Sequence, residues 1–186
     1  MSDVALLVID VQESFRHRPF WTDTDVPAFT KHLQALIDGA VARGIPVLQV
    51  FHVAEAGPFS LDSGHIRTLE PIMIAPAATF HKHRHSALVD TGLTGWLTQH
   101  GIRRLIVSGI RTEQCCETTA RHASDSGWQV DYVTEATLTF AMTHPDGRRF
   151  EADDIKARTE LVLMDRFARI ATVEQALAGR DLPVAA

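Results

Sequence analysis

"RLIVSGIRTEQCCETTARHA", residues 104–123, decides the fold. It opens on a short β-branched apolar run, "RLIVSGI" (104–110), and passes within a few residues into a helical pattern. An apolar run of that length suits a strand buried on both faces of a parallel sheet. The same kind of run recurs at "VALLVID" (4–10), "IPVLQVFHV" (45–53), "WQVDYVT" (128–134) and "ARIATV" (168–173), with a shorter one near "ATF" (78–80). Helical patterns lie between them. "DVPAFTKHLQALIDGAVARG" (25–44) has Phe29, Leu33, Leu36, Ile37, Ala40 and Val41 at helical spacing and stops at Gly44, while "TGLTGWLTQHG" (91–101) stops at Gly101. Strand and helix in alternation predict an α/β fold. The expected form is a three-layer α/β/α sandwich on a mainly parallel, doubly wound, Rossmann-like sheet of about six strands. With no internal repeat, low-complexity tract or linker, residues 1–186 are expected to make a single domain. Residues 54–80 and 143–154, the latter with Pro145-Asp146-Gly147, have loop chemistry and are expected over a site.

Composition narrows the function classes. The chain has 45% hydrophobic and 22% charged residues, as an ordinary globular domain does, and a formal charge of -5. Lys and Arg are scattered, so the basic excess that a phosphate backbone demands is missing and nucleic acid is not an expected partner. Nor is a membrane, because no stretch approaches the roughly 18 apolar residues needed for a span, and "MSDVALLVIDVQ" has an acid where a signal peptide carries positive charge. A cytoplasmic location follows as an expectation. Thiols stay reduced there, and neighbouring Cα atoms sit about 3.8 Å apart, closer than disulfides usually allow. Cys115 and Cys116, the only two cysteines, are therefore not expected to be bonded to each other.

In open α/β sheets, ligands bind beyond the carboxyl ends of the strands. Asp10 closes the first strand, Lys82 follows the short one near 78–80, and the cysteines follow 104–110. A carboxylate at such an end loses water, which raises its basicity toward a thiol, and a lysine beside it favours a thiolate and an oxyanion. If Thr112 caps the following helix, Cys115 stands at its third position, among free amides that favour an anion. A depressed Cys115 pKa is then expected. Cys116, about 100° further round, would share a face with Ala120 and Ala123, while Glu117, Arg121, Ser124 and Asp125 would face water. The two thiols taken alone also fit small buried hydrophobes, a redox pair or metal ligands.

"DVQ" after the first strand, the lysine in "HKHRHSAL" and the G-x-x-T-x-x-C block of "VSGIRTEQCCETTARHA" together resemble the isochorismatase-like cysteine hydrolases, the superfamily of nicotinamidase and N-carbamoylsarcosine amidohydrolase. The resemblance runs through nearly the whole chain. It implies Cys115 as nucleophile, Asp10 as general base and Lys82 as third member. A cis peptide at Ile110-Arg111, with the amides of Arg111 and Cys115 as oxyanion hole, is likewise implied. Cys116 stands where the family usually has valine, Glu113 where it has Asp, and His122 where Asp is common. Nicotinamidases also hold a metal through an Asp-x-His pair after the second strand; here that stretch is "QVFHV", leaving only His52, with Val50 in place of the acid.

No metal and no cofactor are expected on that ground, although His81, His83 and His85 would share one face if the strand continued. Gln12, Phe15, Arg111 and Phe140 are the candidate substrate-binding residues. Phe15 and Phe140, like Trp21, suit wall or core; Arg111 suits either a substrate carboxylate or an interface ion pair. The expected activity is hydrolysis of a small amide or other C-N bond through a thioester on Cys115. Two other readings stand beside it: a vinyl-ether hydrolase with an idle thiol, and a redox or metal sensor built on Cys115, Cys116 and the histidines. A small-molecule substrate and a homo-oligomer, dimer or higher, complete the expectation.

Overall fold

Six strands form one parallel sheet in a computed structural model that describes residues 2–179; residue 1 and residues 180–186, the end of the expected 1–186 domain, lie outside the described residues. In chain order the strands and helices are β1 (Val4–Ile9), α1 (Val26–Ala42), β2 (Val47–His52), β3 (Ala78–Lys82), α2 (Leu93–Gln99), β4 (Arg104–Ile110), α3 (Glu117–Asp125), β5 (Gln129–Leu138), β6 (Met142–Thr143), β7 (Arg149–Phe150), α4 (Ala152–Leu163), β8 (Arg169–Ile170) and α5 (Val173–Ala178). The sheet order is β3-β2-β1-β4-β5-β8. The chain therefore winds outward from β1 in one direction through β3, then returns and winds the other way from β4. The crevice between the carboxyl ends of β1 and β4 is the switch point where such sheets bind ligands.

Alternation along β1 builds the three layers. Val4, Leu6 and Val8 join Phe29, Leu33, Leu36 and Ile37 of α1 in one core, which also takes in Ala176 of α5. Ala5, Leu7 and Ile9 join Leu93, Leu97, Ala120, Ala123 and Leu163 in the other, under α2, α3 and α4. β1 is buried along its whole length, as a central parallel strand should be. Its neighbour β4 comes so close at Gly109 (φ +130) that an added Cβ would lie 2.0 Å from the Ile9 carbonyl oxygen. Only glycine satisfies both the backbone angle and the contact.

The expected elements differ from the observed ones where tertiary contacts decide. β5 runs four residues beyond 134, with an irregular register opposite Val107 to Gly109, so that Thr137 and Leu138 pair with Gly109 and Ile110. The expected strand at 168–173 is cut to two residues because Thr172 leaves it to cap α5, its hydroxyl accepting from the Gln175 amide. Residues 143–154 are not a loop over the crevice: Met142 and Thr143 pair antiparallel with Phe150 and Arg149 around the turn, and α4 begins at Ala152. No helix among the described residues is long and apolar enough to cross a membrane.

Candidate active site

Asp10 is the first residue past β1, and its backbone turns into the left-handed region (φ 53), which few non-glycine residues adopt. Its amide donates to the Val50 carbonyl and its carbonyl accepts from Gln12. These bonds hold the carboxyl group inward at 0% exposure. Lys82, the last residue of β3, is equally buried, and its Nζ lies 2.8 Å from Asp10 Oδ2. The same Nζ donates to the Arg84 carbonyl (3.0 Å) and to Cys115 Sγ (3.3 Å), and lies 3.1 Å from His52 Nδ1. One ammonium thus joins the ends of β1, β2, β3 and β4.

Cys115 arrives by a different local route from the one expected. Thr112 does not cap the helix. Arg111, extended at φ -93 and ψ 150, precedes a π-helical turn over Thr112–Cys116, and α3 starts only at Glu117. The Thr112 hydroxyl is bonded to that of Thr137, and its carbonyl accepts from Tyr132. The peptide Ile110-Arg111 is cis. Both cysteines are free and buried, Cys116 wholly so within the core beneath α3. Glu117, expected on the wet face, is buried as well: Arg121 and Arg158 pair with it, and Thr159 donates to it.

Burial pushes the Cys115 thiol up to about 12, and the nearby Asp10 carboxylate adds to the rise against the opposing pull of Lys82. The expected depressed pKa is therefore corrected, because lost water and a neighbouring anion outweigh one lysine. Burial also raises Asp10, with Lys82 pulling the other way. For Lys82 burial works downward, but attraction to Asp10 and Cys115 outweighs it and the ammonium is held charged. His52 is lowered to about 4 by burial and then by Lys82, so its ring is neutral near pH 7.

A cavity of about 310 Å³ opens above Cys115. Asp10, His52, Arg111 and Gln114 surround the thiol, Phe15, Phe20 and Phe59 make the wall, and Arg18 and His85 stand with them. Phe59 meets Phe15 edge-on at 5.0 Å and brings residues 54–59 of the long loop over the site. Of the expected substrate-binding residues, Phe15 and Arg111 line the cavity. Gln12 does not: its amide spans to the backbone of His52, accepting from the nitrogen and donating to the oxygen, and ties β1 to β2. Phe140 stands behind the wall, against Phe20 and Trp21.

Arg111 is paired with Glu113 at 2.9 Å and lies over the Phe20 ring. Sequence reasoning missed Arg18 and Phe59, and treated His52 and His85 only as possible metal ligands. The rule that exposed Asp10, position at a strand's carboxyl end, applies equally to His52. Arg18 and Phe59 lie in irregular segments that carry no such signal.

The residues do not suit a nicotinamidase-type metal. Val50 is apolar and buried, and the Nδ1 of His52 faces an ammonium. β3 ends at Lys82, so His83 and His85 leave the strand and the three histidines share no face. Among the described residues no three His, Cys, Asp or Glu side chains come together as a metal site.

Comparison with known proteins places the fold within a family. Residues 4–175 match the isochorismatase domain family. A crystal structure of isochorismatase type from Burkholderia xenovorans LB400 is 31% identical, with a TM-score of 0.85 over 95% of this chain and 86% of that one. An isochorismatase-family hydrolase from Chromobacterium violaceum is 26% identical, with a TM-score of 0.86 over 95% and 93%. Nicotinamidase 3 of Arabidopsis thaliana is 38% identical over 79 residues, which is 42% of this chain and only 40% of that protein.

Proposed function

The chain belongs to the isochorismatase family of hydrolases, and from that premise we propose that it cleaves a small amide or related C-N bond through a thioester on Cys115. The observation that carries this reading is the placement of Lys82 Nζ, 2.8 Å from Asp10 Oδ2 and 3.3 Å from Cys115 Sγ, beneath a cavity that both Asp10 and Cys115 line.

The thiol proton passes to Asp10. Before transfer the trio holds a carboxylate, an ammonium and a thiol; afterwards it holds a carboxylic acid, an ammonium and a thiolate. Its net charge stays at zero, so no uncompensated charge is created in the interior. The Cys115 thiolate attacks the carbonyl carbon and the amides of Arg111 and Cys115 receive the oxyanion, as the family resemblance implies. Asp10 returns its proton to the nitrogen as the C-N bond breaks. Asp10 then takes a proton from water, whose oxygen attacks the thioester, and the product acid leaves with the thiol restored.

The test is a screen of small amides and ureas for ammonia release, paired with mass spectrometry of the protein quenched during turnover. Ammonia together with an acyl adduct on Cys115 is the expected result. Turnover of a vinyl ether with no adduct, or no turnover of either class, overturns the reading.

A further inference from the structure

We propose that Arg18 is a specificity-determining residue, and that the substrate carries one carboxylate at the end remote from the scissile bond. This deepens the amide-hydrolase reading and rests on it. The inference comes from the ionic partners of the groups around the cavity. Asp10 is offset by Lys82 at 2.8 Å, and Arg111 by Glu113 at 2.9 Å. The Glu113 carboxylate is itself fixed by the Thr139 hydroxyl, and Arg111 is stacked over Phe20. The charge of Arg111 is thereby offset and its place in the wall set, although its Nε and Nη2 are buried with no hydrogen-bond partner among the described residues. Arg18 also lines the cavity, yet none of the ion pairs among the described residues includes it. Its guanidinium lies 5.7 Å from the centroid of the Phe20 ring, so the aromatic wall supports it from one side.

His52 is neutral near pH 7. Among the described residues Arg18 is thus the arginine of the cavity that no ion pair offsets, in a protein whose formal charge is -5. A positive mouth on a negative molecule attracts a small anion and orients it, carboxylate toward Arg18 and amide toward Cys115. A neutral amide gains nothing from that arrangement, and a dianion has a second charge left without a partner.

Two independent measurements test this. The first compares kcat/KM for matched pairs, succinamate against succinamide and 4-carbamoylbenzoate against terephthalamide. Wild type is expected to favour the anionic member of at least one pair by about tenfold or more, less so at high salt, and Arg18→Gln to bring the ratio near one, mainly through KM. Arg18→Lys should restore part of it. The second needs no hydrolysis: the rate of Cys115 alkylation by iodoacetate relative to iodoacetamide, normalised to the same ratio for glutathione. That ratio should exceed one in wild type and fall in Arg18→Gln.

No charge preference in wild type, a preference that survives Arg18→Gln, or one that disappears only in Arg111→Gln overturns the proposal. If the alkylation preference holds while no amide turns over, the hydrolase reading fails and the anion subsite stands. A Cys115 inert to both reagents overturns the two together.

Discussion

Burial acts on Asp10 and Cys115 in the same direction, since both are acids whose charged forms lose water, and this couples them. With the thiol at about 12, bulk solvent at neutral pH does not supply the thiolate, and the mechanism proposed above assigns that task to transfer to Asp10. Asp10→Asn should therefore remove the acceptor of the thiol proton and, with it, turnover. A fall in kcat by a factor on the order of 100 or more is expected, while the circular dichroism spectrum stays that of the wild type. Near-normal turnover would remove Asp10 from the mechanism. The two thiols separate in the same experiment. Cys115→Ala should be folded and inactive. Cys116→Val, which roughly conserves volume, should stay active and cost no more than about 1.5 kcal/mol in urea unfolding. Asp10, Lys82 and Cys115 were legible in the sequence because each stands at or just beyond a strand end, where topology alone brings residues together. The rise in the Cys115 pKa was not legible. It depends on how far the Asp10 carboxylate and Lys82 are buried beside the thiol, and no spacing in the chain encodes that.

At the scale of elements, the approach of β4 to β1 sets where both Asp10 and Arg111 emerge. Gly109 makes that approach possible, so Gly109→Ala meets the Ile9 carbonyl, a backbone atom that cannot rotate away, at an angle that alanine avoids. The strands must separate at the point from which the site is built. A loss of about 2 kcal/mol or more in urea unfolding is expected, with activity falling further than stability because Asp10 moves with Ile9. A variant of wild-type stability would show that the two strands have slack there. The central elements were legible because β1, β2 and β4 are buried on both faces and their apolar runs are nearly continuous. The periphery was not. Whether 143–150 closes as a hairpin depends on Arg149 and Phe150 finding Thr143 and Met142, and the start of α4 depends on reciprocal capping between Glu151 and Asp154.

At the scale of the whole molecule, two dependences on conditions follow. Since Val50 is apolar and His52 Nδ1 lies against Lys82, dialysis against a chelator should leave activity and melting temperature unchanged. Restoration of lost activity by zinc or iron would contradict that. The second dependence is on alkali, and its sign follows from which state holds the protons. Below pH 9 a cysteine keeps its proton both folded and unfolded, and Cys115 contributes no slope. Between pH 9 and about 12 the unfolded chain releases that proton while the folded protein retains it, so stability falls as pH rises through this window. Cys116 and Tyr132, buried and also raised well above their usual values, add to the decline from about pH 9 and pH 10 respectively. The slope approaches about 1.4 kcal/mol per pH unit for each group that is titrating only in the unfolded state. Urea unfolding of wild type, Cys115→Ala and Cys116→Val at pH 8, 9 and 10 measures it directly. Each variant should lose less stability than wild type between pH 9 and 10, and the double variant least, leaving the contributions of Tyr132 and of Lys82, which is also raised above its ordinary value. Parallel lines for all four proteins would mean that neither thiol is held protonated by the fold, and proton transfer from Cys115 to Asp10 would lose its physical motive.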